Sequence, residues 1–117
     1  MAKLRMKGPY DLKKEIIDLH VEPEKIGNYV LGWVKDKNTF IINYVGRSDT
    51  DLNKRLQDHI GEASAFMFSY ENSPEEAYKK ECQNWHDFYG PKGKLRNKIH
   101  PDKPEGKENC HCPVCKE

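Results

Sequence analysis

Two tyrosines, two arginines, a histidine and one helical glutamate hold most of the chemical potential of this sequence: Tyr29, Tyr44, Arg47, Arg55, His59 and Glu81. Tyr44 and Arg47 flank Val45-Gly46 at the end of a β-branched run. Arg55 and His59 stand four residues apart, a spacing that puts them on one helical face. The set suits phosphate chemistry. Arginines neutralise charge on a transferring phosphoryl group. A single glutamate can hold a hard cation such as magnesium, with water and substrate oxygens completing the shell. A tyrosine can orient or deprotonate an attacking water. The chain has neither a clustered set of metal-binding carboxylates nor a Ser-His-Asp order. Each residue also has an ordinary structural use. Tyrosine packs well at half-buried strand positions, arginine on a helix is usually solvated, and Glu81 beside Lys80 could be a plain surface pair. Spacing alone leaves both readings open.

A second group lies at the C-terminus, where Cys110, Cys112 and Cys115 fall within CHCPVCKE. Three thiolates at this spacing point to structural zinc, which needs a fourth ligand. Cys82 is the natural candidate, with His86, His100 and His111 as alternatives. The competing reading packs Cys82 in the core as a small hydrophobe. A disulfide scaffold is not expected, because no secretory signal precedes the domain.

The elements that must position these residues follow from periodicity. Residues 11–19 place Leu12, Ile16 and Leu19 on one helical face, with Asp11 able to cap. Strands are expected at 28–35 and 39–45, joined by the polar turn 36–38 as an antiparallel hairpin. Gly46 leaves the backbone beyond Tyr44 uncluttered, so a phosphate could approach. Ser48, Asp49 or Thr50 can cap a helix reaching Ile60, and a third strand is expected at 63–70. Ser73-Pro74-Glu75-Glu76 is a helix start with cap, first-turn proline and acidic first turn, running to Phe88. The expectation is an α/β fold with a three-stranded, mostly antiparallel sheet covered by helices, ending in a cysteine-rich tail. It divides into an N-terminal basic segment and helix (1–22), a central domain (23–101), and the tail (102–117), packed on the domain or flexible.

Composition sets the limits. The 117 residues are 36% hydrophobic and 33% charged, enough for one domain with a small core. Six Tyr, four Phe and two Trp argue against disorder. The formal net charge of +1 says little about partners. Its distribution says more: residues 1–14 carry five basic groups against Asp11, and residues 92–107 carry six against Asp102 and Glu105, a net of +4 in each stretch. Such segments can contact phosphates, although solvated charge runs look the same. No stretch is apolar enough to span a membrane and no signal peptide is recognisable, so the expected location is the cytoplasm.

Residues 23–31 (PEKIGNYVL) and 43–59 (NYVGRSDTDLNKRLQDH) resemble the two signature blocks of the GIY-YIG nuclease superfamily. Its pattern is glycine-any-tyrosine on one strand and tyrosine-isoleucine/valine-glycine on the next. An arginine follows on a helix, often with a histidine one turn later, and then a glutamate on a later helix. Those places fall on Tyr29, Tyr44, Arg55, His59 and Glu81. Glu81 arrives within SPEEAYKKECQNWHDF, and Asn97 takes the place of a later asparagine, with Asn84 and Asn109 also available. The resemblance covers about residues 23–101. It implies a divalent-metal-dependent endonuclease that hydrolyses phosphodiester bonds in DNA with magnesium or manganese. In that scheme Tyr29 is the water-activating base and Tyr44 and Arg55 clamp the phosphate. Glu81 is the metal's single protein ligand, and Arg47 is a second cationic contact. Two departures are Asn28, where a β-branched residue is usual, and one extra residue between Tyr44 and Arg55. Specificity would come from a targeting partner or from substrate shape. Two other functions compete: a non-cleaving nucleic-acid-binding or adaptor module of the same fold, and a small zinc-stabilised interaction protein. The first two differ in whether Tyr29, Tyr44, Arg55 and Glu81 converge on one metal-binding cleft, and the third predicts scattered side chains and no cleft.

Overall fold

The β-branched and aromatic runs on either side of residues 36–38 form two neighbouring strands of one sheet, the first interior and the second at its edge. The computed structural model describes residues 6–36 and 39–87. Its elements are β1 (Lys7–Asp11), α1 (Lys14–His20), β2 (Gly27–Asp36), β3 (Thr39–Ser48), α2 (Leu52–Asp58), β4 (Ala65–Tyr70) and α3 (Pro74–Asp87). β2 pairs antiparallel with β3 on one side and with β4 on the other. β1 adds to β4, giving the order β1-β4-β2-β3.

The sheet among the described residues therefore has four strands, which corrects the expected three. The missed strand is Lys7-Gly8-Pro9-Tyr10-Asp11, whose glycine and proline lower strand propensity and whose burial pattern is almost wholly exposed. Its position at the sheet edge explains the tolerance, because proline lacks a ladder donor and edge strands spare one. Its register slips between Lys7, opposite Phe68, and Tyr10, opposite Phe66. Gly8 sits there at φ +120°, a conformation that favours glycine. The helix expected over 11–19 starts later, at Lys14; Leu12 and Ile16 pack in the core as expected, but Ile17 is the fully buried helix residue and Leu19 is 73% exposed. Val21, four residues after Ile17, continues the buried face.

Strand alternation sends the core to both faces of the sheet. Tyr29 and Leu31 of β2 and Phe66 and Phe68 of β4 pack under Ile17, Leu52 and Leu56 of α1 and α2. Val30 and Val45 pack on the opposite face with Trp85 of α3. Each fully buried large apolar side chain contributes roughly 1.5–3 kcal/mol. Asn28, anomalous for a strand by propensity, is completely buried on this second face and donates its Nδ2 to the Ala77 carbonyl at 2.9 Å. It ties α3 to the sheet where a β-branched residue could offer only packing. No helix among the described residues is long and apolar enough to cross a membrane.

Candidate active site

Tyr29 opens the site from β2, the interior strand beside the edge strand β3. It stands opposite Gly46 in the β2–β3 register, while Tyr44 stands opposite Leu31. Leu31 and Tyr29 share a face, so Tyr44 lies diagonally beside Tyr29 on that face. Their rings stack with centroids 6.1 Å apart and planes 16° from parallel. Gly46 makes this seating possible. A Cβ there would lie 2.5 Å from both Cζ and Oη of Tyr29. The glycine holds space for the tyrosine ring, a different use from the phosphate access that the sequence pattern implies. Gly46→Ala is expected to push the Tyr29 ring aside and cost about 1–3 kcal/mol of stability. A urea midpoint equal to wild type would show that the strand pair absorbs the methyl group.

The segment after β3 turns the chain into α2. Ser48 Oγ accepts from the Asp51 amide at 2.9 Å, and Asp51 accepts from the Lys54 amide at 3.1 Å as the helix cap. The cap is thus one to three residues beyond the expected Ser48, Asp49 or Thr50. Arg55, in the last turn of α2, lines the same cavity as Tyr29, and its charge acts on the Tyr29 hydroxyl. His59, the helix C-cap, places Nε2 2.7 Å from Tyr29 Oη. Its ring centroid is 5.0 Å from that of Tyr44. Burial, reinforced by Tyr44, pushes the Tyr29 phenol well above the ordinary tyrosine range, with Arg55 opposing.

Glu81 comes from α3, on the other face. Ser73 Oγ accepts from the Glu76 amide at 3.2 Å to start this helix, and Pro74, Glu75 and Glu76 fill its first turn. Glu81 is 8% exposed, and its Oε1 accepts from Arg47 Nη1 at 2.5 Å. Arg47 Nε also donates to Asp49 at 2.9 Å, and the guanidinium lies over the Tyr78 ring. Burial works against the Arg47 charge, but the hydrogen bond to Asp49 and the Glu81 carboxylate outweigh it and raise its pKa. One cavity of about 280 Å³ is lined by Tyr29, Tyr44, Gly46, Arg47, Asp49, Arg55 and Glu81. Because β3 is an edge strand and Gly46 has no side chain, groups from both faces of the sheet meet around it. A second cavity of about 350 Å³ shares Arg47, Asp49 and Arg55 and adds Lys54.

Of the residues singled out by sequence, Tyr29, Tyr44, Arg47, Arg55 and Glu81 line one cavity, and His59 backs it. Cys82 is fully buried against Tyr78. Asn97, Cys110, Cys112 and Cys115 lie outside the described residues. Sequence reasoning passed over Asp49 and Glu62, whose signal was only their proximity to Arg47 and His59. Among the described residues no group of three or more His, Cys, Asp or Glu is placed to hold a metal ion. The cavity offers the Glu81 carboxylate with Asp49 nearby, a donor set that fits a hydrated divalent ion keeping most of its own water. Binding would require Arg47 to yield its bond to Glu81.

Burial outweighs the pull of Arg47 and pushes the Glu81 carboxyl up to about 7, from an ordinary 4.5. The folded chain therefore holds this proton more tightly than the unfolded chain. The corresponding stability is complete below about 4.5 and is lost as pH rises through about 7. Metal-free wild type should lose on the order of a few kcal/mol relative to Glu81→Gln across that window. Urea unfolding of both proteins at about pH 5 and about pH 8 measures it. A difference that does not change with pH would contradict the assignment.

Comparison with known proteins returned no match to a family model, a curated protein or a solved structure. The functional reading therefore rests on the residues and their geometry.

Proposed function

We propose that the chain is a divalent-metal-dependent endonuclease acting on a nucleic-acid backbone, DNA in the first instance, and that its site belongs with those of the GIY-YIG nucleases. The observation that carries this reading is the convergence of Tyr29, Tyr44, Arg47, Arg55 and Glu81 on one cavity. They come from β2, β3, α2 and α3, and a fortuitous sequence match would leave them scattered. Arg55 presents a planar donor fork to phosphate oxygens, and the Tyr44 hydroxyl orients the same group. Tyr29 positions the attacking water and takes part in removing its proton. Glu81, with Asp49 beside it, would hold magnesium or manganese, which supplies charge neutralisation on the phosphate. The expected setting is the cytoplasm. Structural zinc on Cys82, Cys110, Cys112 and Cys115 remains part of the proposal. Bound zinc near one equivalent in protein purified without chelator supports it, and none counts against it.

The ion pair between Arg47 and Glu81 favours a second reading, a module that binds nucleic acid without cutting it, because it engages the carboxylate the metal needs. A cleavage screen over duplex, flapped, branched and single-stranded DNA and RNA, with magnesium or manganese, separates the two. Metal-dependent cleavage of any substrate supports the nuclease. Binding without cleavage supports the module.

A further inference from the structure

The hydrogen bonds behind the cavity form a chain with fixed polarity. Glu62 Oε1 lies 3.1 Å from His59 Nδ1, and His59 Nε2 lies 2.7 Å from Tyr29 Oη. The local backbone builds the first contact. α2 ends at Asp58, Gly61 takes φ +96°, and the Glu62 amide bonds the His59 carbonyl at 2.9 Å. That turn brings the Glu62 carboxylate back to the imidazole.

We propose that Glu62 is a positioning residue that fixes the His59 tautomer, so that Tyr29 relays the proton of the attacking water onto His59. The proposal rests on the nuclease reading for its chemistry, but the tautomer itself does not. An ionised carboxylate only accepts, so the neutral ring carries its proton on Nδ1. Nε2 then has a lone pair, and Tyr29 Oη donates to it. The chain runs from Tyr29 through His59 to the Glu62 anion, with the Arg55 cation on the same cavity as Tyr29. Tyr44 faces the same ring from β3.

This polarity resolves a difficulty in the site. Tyr29 is fully buried, and burial makes a lasting tyrosinate costly. A relay avoids that species. As the water oxygen bonds to phosphorus, one water proton passes to Tyr29 Oη and the phenolic proton passes to His59 Nε2. The phosphorus–oxygen bond to the leaving sugar oxygen breaks, and that oxygen takes a proton from solvent. The resulting imidazolium is held by Glu62 and later returns its proton to solvent. Oη can accept from water while it donates to His59 because its oxygen keeps two lone pairs.

The test is the tautomer of His59, read from imidazole nitrogen shifts in metal-free protein, together with the cleavage rate. Wild type should show the Nδ1-protonated neutral ring. Glu62→Gln keeps a carbonyl acceptor and should retain that tautomer. Glu62→Ala should give a mixed population, and its rate should fall on the order of 10–100-fold, with Glu62→Gln falling less. The Glu62 side chain is 39% exposed, so both variants should fold, which their thermal midpoints check. An Nε2-protonated ring in wild type overturns the proposal, as does Glu62→Ala with the wild-type tautomer and rate. If wild type cuts no nucleic acid, the nuclease reading and the relay fall together, while the tautomers still decide whether Glu62 orients His59.

Discussion

Glu81→Gln should abolish metal-dependent cleavage, a loss of at least about 10³-fold, while the protein stays folded and still binds nucleic acid. The substitution keeps the shape of a side chain that is 8% exposed. Its amide oxygen can still accept from Arg47 Nη1, and Asp49 continues to pair with Arg47, so the guanidinium is not left without a partner. Burying a neutral amide also costs less than burying a carboxylate. What disappears is the negative charge that holds the cation. Circular dichroism and a binding assay should match wild type, while cleavage disappears. A variant that neither binds nor folds would mean that the ion pair with Arg47, and not a metal, is the main use of Glu81.

Arg55→Ala is expected to lower the rate about 10²–10³-fold, the effect of removing one donor from a developing oxyanion, roughly 2.7–4 kcal/mol. Arg55 lines the cavity where the phosphate would lie. Its planar fork is what suits phosphate oxygens, so Arg55→Lys should restore charge without restoring geometry and recover only part of the rate. A loss realised in the transition state lowers kcat with little change in KM. A raised KM with unchanged kcat would assign Arg55 to ground-state binding.

The residues of the site were more legible in the sequence than the sheet that holds them. Spacing alone left Tyr29, Tyr44, Arg55 and Glu81 open to ordinary structural readings, and it was the resemblance of residues 23–31 and 43–59 to the GIY-YIG blocks that singled them out. The start of α3 was readable from Ser73-Pro74-Glu75-Glu76, since capping chemistry is local. β1 was not. Lys7-Gly8-Pro9 carries no alternation, and its pairing to β4 is a contact across more than fifty residues that local propensity does not encode. The face of α1 was read only in part for a related reason: Leu12 and Ile16 do pack in the core, but Leu19 is exposed and the packing surface selects Ile17 and Val21 instead. The purpose of Gly46 could be guessed only in kind. That it clears space for the Tyr29 ring depends on the register of two strands, and register is a tertiary property. The same holds for Arg47, expected as a phosphate contact and found between Asp49 and Glu81.

The most direct measurement is the cleavage rate of wild type and Glu81→Gln, prepared side by side, as magnesium is raised on a substrate panel that includes duplex and branched DNA. The account predicts a rate that saturates with magnesium in wild type and is absent in the variant at every concentration. Equal cleavage by both proteins, or no cleavage of any substrate by wild type, would contradict it.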